Sequence, residues 1–151
     1  MKPDITPFLW FDDNAEEAAN FYASIFPEAR IHDISRYPES GPAPAGSVMT
    51  VDFELLGQRF VALNAGPHFK FNPSISFFVS CDTQEEIDRY WAALTEGGKE
   101  TQCGWLEDKF GLSWQIVPRD IAALVSHPKA MKAMMSMVKL DIAKLKAAAE
   151  G

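Results

Sequence analysis

The groups in this chain able to move a proton, attack a carbon centre or hold a metal are three histidines, two cysteines and twenty-one acidic residues. His32, His68 and His127 lie in separate segments, none with a second histidine or a carboxylate at ligand spacing, so each reads as a surface or loop residue. His68, in GPHFKFNP, is the one placed where an imidazole could act as acid or base. Asp12-Asp13 and Glu16-Glu17 have the look of paired carboxylates for acid-base work. Acids ahead of and within a first helical turn are, however, what the helix dipole favours, and Asp82, Glu85 and Glu86 repeat the pattern. Asp52 is different, because strand alternation sets it beside Thr50 on a mixed face where a dry cavity would perturb its pKa; it is the candidate catalytic group, its reaction unassigned. Cys81 alternates to an apolar face and Cys103 precedes Gly104 at a strand junction, so neither reads as a nucleophile beside a base.

The elements that position these groups are written twice. At an offset of 69 residues, Phe8, Asp13, Glu16, Glu17, Phe21, Tyr22 and Ala23 match Phe77, Asp82, Glu85, Glu86, Tyr90, Trp91 and Ala92. Asn14 and Thr83 correspond as helix N-caps, and Glu86 closes a capping box on Thr83. The first copy predicts a strand near 5–11, a helix near 15–26 stopped by Pro27, and strands at 30–37, 47–56 and 58–65 joined at Gly57. The second predicts a strand at 74–81, a helix at 84–96 ended by Gly97-Gly98, and strands near 100–103, 104–109 and 112–118. A helical tail follows, with helices near 128–136 and 138–149. The expectation is one α+β domain over residues 1–151: module 1 at about 4–66, module 2 at about 72–118, and the tail at about 119–149.

Alternation divides each strand into two faces. Ile75, Phe77, Val79 and Cys81, with Leu112, Trp114 and Ile116, form an oily face for the helices, as do Met49, Val51, Phe53, Leu55, Val61 and Leu63. The opposite face is mixed, carrying Phe8, Trp10, Phe60 and Phe78 among hydroxyls and amides such as Ser76, Asn64 and Gln115. Several large aromatics among a few polar groups describe the wall of a small-molecule pocket. Asp52, Asn64, Ser76 and Gln115 would position a small polar or aromatic metabolite, while Trp10, Phe78 and Trp105 would stack on a planar one. Alternatively the same residues would serve a binding or drug-sequestering protein without chemistry, its acidic surface favouring a cationic ligand.

Composition narrows the partners. Residues are 47% hydrophobic and 23% charged, which describes a globular chain, and the net charge of −7 repels nucleic acid. No apolar run approaches a membrane span or a signal-peptide core, so a cytoplasmic protein without membrane association is expected, its two cysteines free thiols. Met131, Met134, Met135 and Val138 recur at i, i+3, i+4 and i+7 in the tail, predicting a homodimer to which the tail contributes.

The segments ITPFLWFDDNAEEAANFYASIFP at 5–27, NAGPHFKFNPSISFFV at 64–79 and CGWLEDKFGLSWQIVP at 103–118 resemble the PhnB-like branch of the glyoxalase, bleomycin-resistance and extradiol-dioxygenase superfamily, the vicinal oxygen chelate fold. Many of its members are called 3-demethylubiquinone methyltransferase-like. The resemblance implies paired β-α-β-β-β modules curled into an open barrel around a cavity, commonly in dimers. It also implies four metal-ligand positions, which fall here near Thr6, Ala62, Ser76 and Gln115 and supply no histidine, cysteine or carboxylate. A metal-free protein without cofactor is therefore expected. The methyltransferase label lacks its usual physical basis, because no glycine-rich strand-to-helix turn is present and Gly97-Gly98 follows a helix rather than opening one.

Overall fold

The computed structural model describes residues 2–151. They divide into two compact units, residues 2–70 and 71–151. The first contains β1 (Phe8–Phe11), α1 (Ala15–Ile25), β2 (Arg30–Arg36), β3 (Val48–Leu55) and β4 (Gln58–Asn64). The second contains β5 (Ser76–Cys81), α2 (Gln84–Thr95), β6 (Lys99–Glu100), β7 (Trp105–Glu107) and β8 (Ser113–Pro118), then tail helices α3 (Ile121–Val125), α4 (Pro128–Met135) and α5 (Ile142–Glu150). The fold is α+β, and the repeat holds down to topology: the sheets run β1-β4-β3-β2 and β5-β8-β7-β6, each with its first and last strands parallel. Neither sheet closes on itself.

In unit 1, α1 lays Ala15, Ala18, Ala19 and Tyr22 on the sheet; the three alanines let the helix approach closely, and the Tyr22 ring stacks on Phe53. In unit 2, Ile87, Tyr90, Trp91 and Leu94 of α2 cover Val79, Cys81, Leu106, Trp114 and Ile116. The capping box of α2 is present, Thr83 accepting from the Glu86 amide. Asn14 makes no such bond; the Asn64 side chain, on β4, accepts the Ala15 amide at 2.8 Å instead.

Strand β4 corrects the expected register. Leu56 and Gly57 both have positive φ, 48° and 81°, and form the two-residue hairpin turn whose twist matches that of paired strands. That turn sets Leu55 opposite Gln58 and Phe53 opposite Phe60. Phe60 and Ala62 are thus buried on the helix side, the Phe60 ring stacked on Phe53 at 5.4 Å, and Val61 and Leu63 lie on the mixed face. A reading with Gly57 alone as the joint slips by one residue and exchanges the faces. Ile75 is also corrected: the strand begins at Ser76, and Ile75 is exposed. Phe77 is half-buried against the Trp114 ring. The short β6 and β7 replace the longer strands expected at 100–103 and 104–109.

The tail docks on its own unit. Leu140 and Leu145, fully buried, form a second core with Val117, flanked by Met134 and Met137. Between α4 and α5 the chain is non-helical, and the Cys103 and Gly104 amides donate to the carbonyls of Met137 and Val138. Gln84 bridges to the same segment, donating to Leu140 O and accepting from the Ile142 amide, while Lys139 pairs with Asp88 at 2.7 Å. That pairing, with the Gln84 hydrogen bond, holds the Asp88 carboxyl below its ordinary range. The apolar tail stripe is therefore divided: Met134 faces the intrachain core, Met131 and Met135 are exposed, and Val138 lies outside the helix. No described helix is long and apolar enough to cross a membrane.

Candidate functional site

On the sheet face away from α2, cross-strand pairing lines up Phe78, Gln115 and Trp105. Ser76 joins them, its hydroxyl accepting from Gln115 Nε2 at 3.0 Å. Phe78 is 53% exposed, whereas Ser76, Gln115 and Trp105 are half-buried. The result is a strip of two aromatic rings around a hydroxyl-amide pair, with Gln115 Oε1 still able to accept and Ser76 Oγ able to donate. Val117, two residues further along the same face, is covered by the tail, so the strip is closed at that end.

Unit 1 presents the equivalent face. Trp10 pairs across Leu63 to Thr50, and Phe8 across Val61 to Asp52. The Trp10 indole donates to Gly66 O at 2.9 Å, with Phe69 edge-on at 4.9 Å. Asp52 Oδ2 accepts from Arg59, its diagonal neighbour on β4, which raises the Arg59 pKa further. Asp52 Oδ1 is buried and has no hydrogen-bond partner among the described residues, which is costly for a carboxylate. Arg59 was not anticipated; its signal was the Leu56-Gly57 turn, which fixes it on the Asp52 face.

Asn64 differs from its expected role. It shares the helix-side alternation of Phe60 and Ala62, and its amide is consumed within the chain, accepting from Ala15 N and donating to Val48 O. Its backbone carbonyl accepts from the Tyr37 hydroxyl. The site residues thus form two groups, each within its own unit: Ser76, Phe78, Trp105 and Gln115 on one sheet, and Trp10 and Asp52 on the other.

The cysteines offer no nucleophile-base pair. Burial, foremost, together with Glu86 and Asp82 pushes the Cys81 thiol up to about 11, so it stays protonated near neutrality. Cys103 lies beside Met135 with its sulfur 3.9 Å from Sδ.

The superfamily's metal positions do not fit a divalent transition metal here. Ala62 is buried beneath the helix, Ser76 and Gln115 bond to one another, and no three His, Cys, Asp or Glu side chains converge among the described residues. Asp108, in the DKFGLSW segment, is a buried carboxylate with a structural environment. Its Oδ1 accepts the Phe110 and Leu112 amides, and its Oδ2 accepts the Trp114 indole N–H at 2.9 Å.

The comparisons agree with this architecture. Residues 3–117 match the family model described as 3-demethylubiquinone-9 3-methyltransferase. The PhnB protein of Bacillus cereus, named for that same activity, is 40% identical with a TM-score of 0.69, over 76% of this chain and 99% of its own. A protein of Pseudomonas aeruginosa is 21% identical, TM-score 0.65, over 78% and 98% of the two chains. The fosfomycin resistance protein of Listeria monocytogenes, solved with manganese and sulfate, is 17% identical, TM-score 0.51, over 77% and 91%, and shares the fold. Comparison with curated proteins returns no match. With two βαβββ modules and a family match that covers residues 3–117 and stops just short of the tail, the chain belongs to the PhnB-like 3-demethylubiquinone-9 3-methyltransferase family of the glyoxalase and bleomycin-resistance superfamily.

Proposed function

We propose that this protein binds a small polar or aromatic molecule on the mixed sheet faces without a metal. The observation that carries this reading is the Ser76–Gln115 pair between Phe78 and Trp105, which offers one donor and one acceptor between two rings. Asp52, with a buried oxygen lacking a partner, is the group to engage a ligand donor on the first sheet. If chemistry follows binding, Asp52 is the candidate proton acceptor; without it, the protein sequesters its ligand. Methyl transfer, carried by the family description, has no glycine-rich turn here to hold S-adenosylmethionine in the usual α/β manner.

A thermal-shift screen of metabolites and drugs tests this directly, since a ligand at 100 times its Kd stabilises by about 2.7 kcal/mol. The expected result is a hit whose shift disappears in Gln115→Leu and Ser76→Leu while the unliganded melting temperature is retained. S-adenosylmethionine is expected to give no shift. A hit indifferent to both substitutions overturns the site, and turnover of the hit decides between enzyme and sequestering protein.

We further propose a cytoplasmic homodimer with the tail at the contact. Met131, Met135 and Val138, 39%, 57% and 40% exposed, supply its apolar surface. Light scattering is expected to give twice the chain mass, reverting to one on Met131→Glu/Met135→Glu; a wild-type monomer at tens of micromolar would sink the proposal.

A further inference from the structure

The mixed face of sheet 2 is open over a short length only. Along β8 its side chains are Ser113, Gln115 and Val117; the first and last are each 3% exposed, and Gln115 between them is half-buried. At about 3.4 Å per residue, the two covered positions stand roughly 7 Å to either side of Gln115 along the strand. Across the strands Phe78 and Trp105 flank Gln115. Each is one strand away, about 5 Å, so a ring standing on Gln115 has an aromatic side chain on both sides within pairing range. The Ser76–Gln115 pair is therefore the floor of a short recess bounded on four sides.

One of those walls is not supplied by the two modules. Val117 packs with Leu140 and Leu145 of the tail, and Leu124, Met134 and Met137 lie half-buried against that cluster. The family match ends at residue 117, and the Bacillus cereus protein is matched over 99% of its own length by 76% of this chain, so the tail is an addition to the shared modules. It is held in place at three points. Met137 O and Val138 O accept the Cys103 and Gly104 amides, just ahead of Trp105. Gln84 bonds to both Leu140 O and the Ile142 amide, and Lys139 pairs with Asp88.

We propose that the tail is a specificity element of the strip, which takes flat molecules with an amide-like edge and rejects those bearing a bulky group directed along β8 toward Val117. The proposal rests on the reading of the strip as the ligand site. A planar ring between Phe78 and Trp105 stands upright on the sheet with its plane along the strands. Its lower edge meets the polar pair, the Ser76 hydroxyl donating to a carbonyl and Gln115 Oε1 accepting from an N–H. A substituent on the far side of the ring points away from the sheet, whereas one next to the amide runs along β8 and meets a wall. The tail discriminates by clash rather than by added attraction.

Benzamide, 3-tert-butylbenzamide and 4-tert-butylbenzamide are the probes, titrated calorimetrically into the full chain. Benzamide binding is expected to disappear in Gln115→Leu. The 3-substituted probe is expected to bind at least about ten-fold more weakly than the 4-substituted one, a gap that closes to about two-fold in Met134→Ala/Met137→Ala, since shortening both side chains opens the Val117 end. The readout is the ratio of the two affinities, which a general loosening of the fold does not shift toward one isomer. A thermal melt confirms that the double variant is folded, and Met134→Ala alone takes its place if it is not. Equal binding of the two isomers by the wild-type chain, or a ratio that the tail substitutions leave unchanged, would overturn the tail's role while the strip stands. Absence of benzamide binding, or binding indifferent to Gln115→Leu, would remove the strip from under the proposal and overturn both.

Discussion

Replacing Asp108 with alanine is expected to destabilise the protein by about 3–5 kcal/mol. Each buried donor left without a partner costs about 1–3 kcal/mol, and Asp108 satisfies three: the Phe110 and Leu112 amides and the Trp114 indole. Asp108 itself is 2% exposed, so no solvent enters to replace it without disrupting the packing of Trp114. Asp108→Asn keeps one carbonyl acceptor and should lose less. Trp114→Phe removes a single donor and should couple with Asp108→Asn in a double-mutant cycle. Urea unfolding of the wild type and the four variants measures this, and a loss below about 1 kcal/mol for Asp108→Ala would show that the carboxylate is not the keystone of the segment.

Leu140→Ala is the second, at about 2–5 kcal/mol. Leu140 is fully buried between Val117 and Leu145, and its side chain packs against Gly104. Removing its branches leaves a cavity at the point where the tail meets β8 and loosens the segment whose carbonyls receive the Cys103 and Gly104 amides. The same urea measurement, with limited proteolysis of the tail, reads the effect. Met131→Ala, on the exposed side of α4, is the comparison and should fall within about 0.5 kcal/mol. Equal losses at the two positions would show that the tail is held by something other than its buried leucines.

Both modules were legible in the sequence because a 69-residue repeat constrains two copies at once: the Phe8/Phe77 and Tyr22/Trp91 matches fix strand and helix together. The alignment of Ser76, Phe78 and Gln115 followed from alternation, since β5 and β8 pair without a slip, and β7 adds Trp105 opposite Gln115. Strand β4 did not follow. Its faces depend on whether the hairpin turns on one residue or two, and Leu56 does not advertise the positive φ it adopts. That ambiguity set Asn64 on the pocket face, when it serves the helix side, and left Arg59 beside Asp52 unread. Leu140 was obscured by the reading of 138–149 as continuous helix, when the helix begins at Ile142 and a non-helical stretch places Leu140 in the core.

The two helix starts, in the same frame of the repeat, are completed by different means. Thr83 closes its cap on Glu86 across three residues, so α2 can acquire its first turn from its own sequence. The first turn of α1 waits for Asn64, 49 residues away. By the logarithmic dependence on loop length, bringing those ends together costs about 2.5 kcal/mol more chain entropy than the local cap does. The second helix start needs no strand to satisfy its cap, whereas the Ala15 amide of the first is satisfied from β4, so the amino-terminal helix start depends on its sheet.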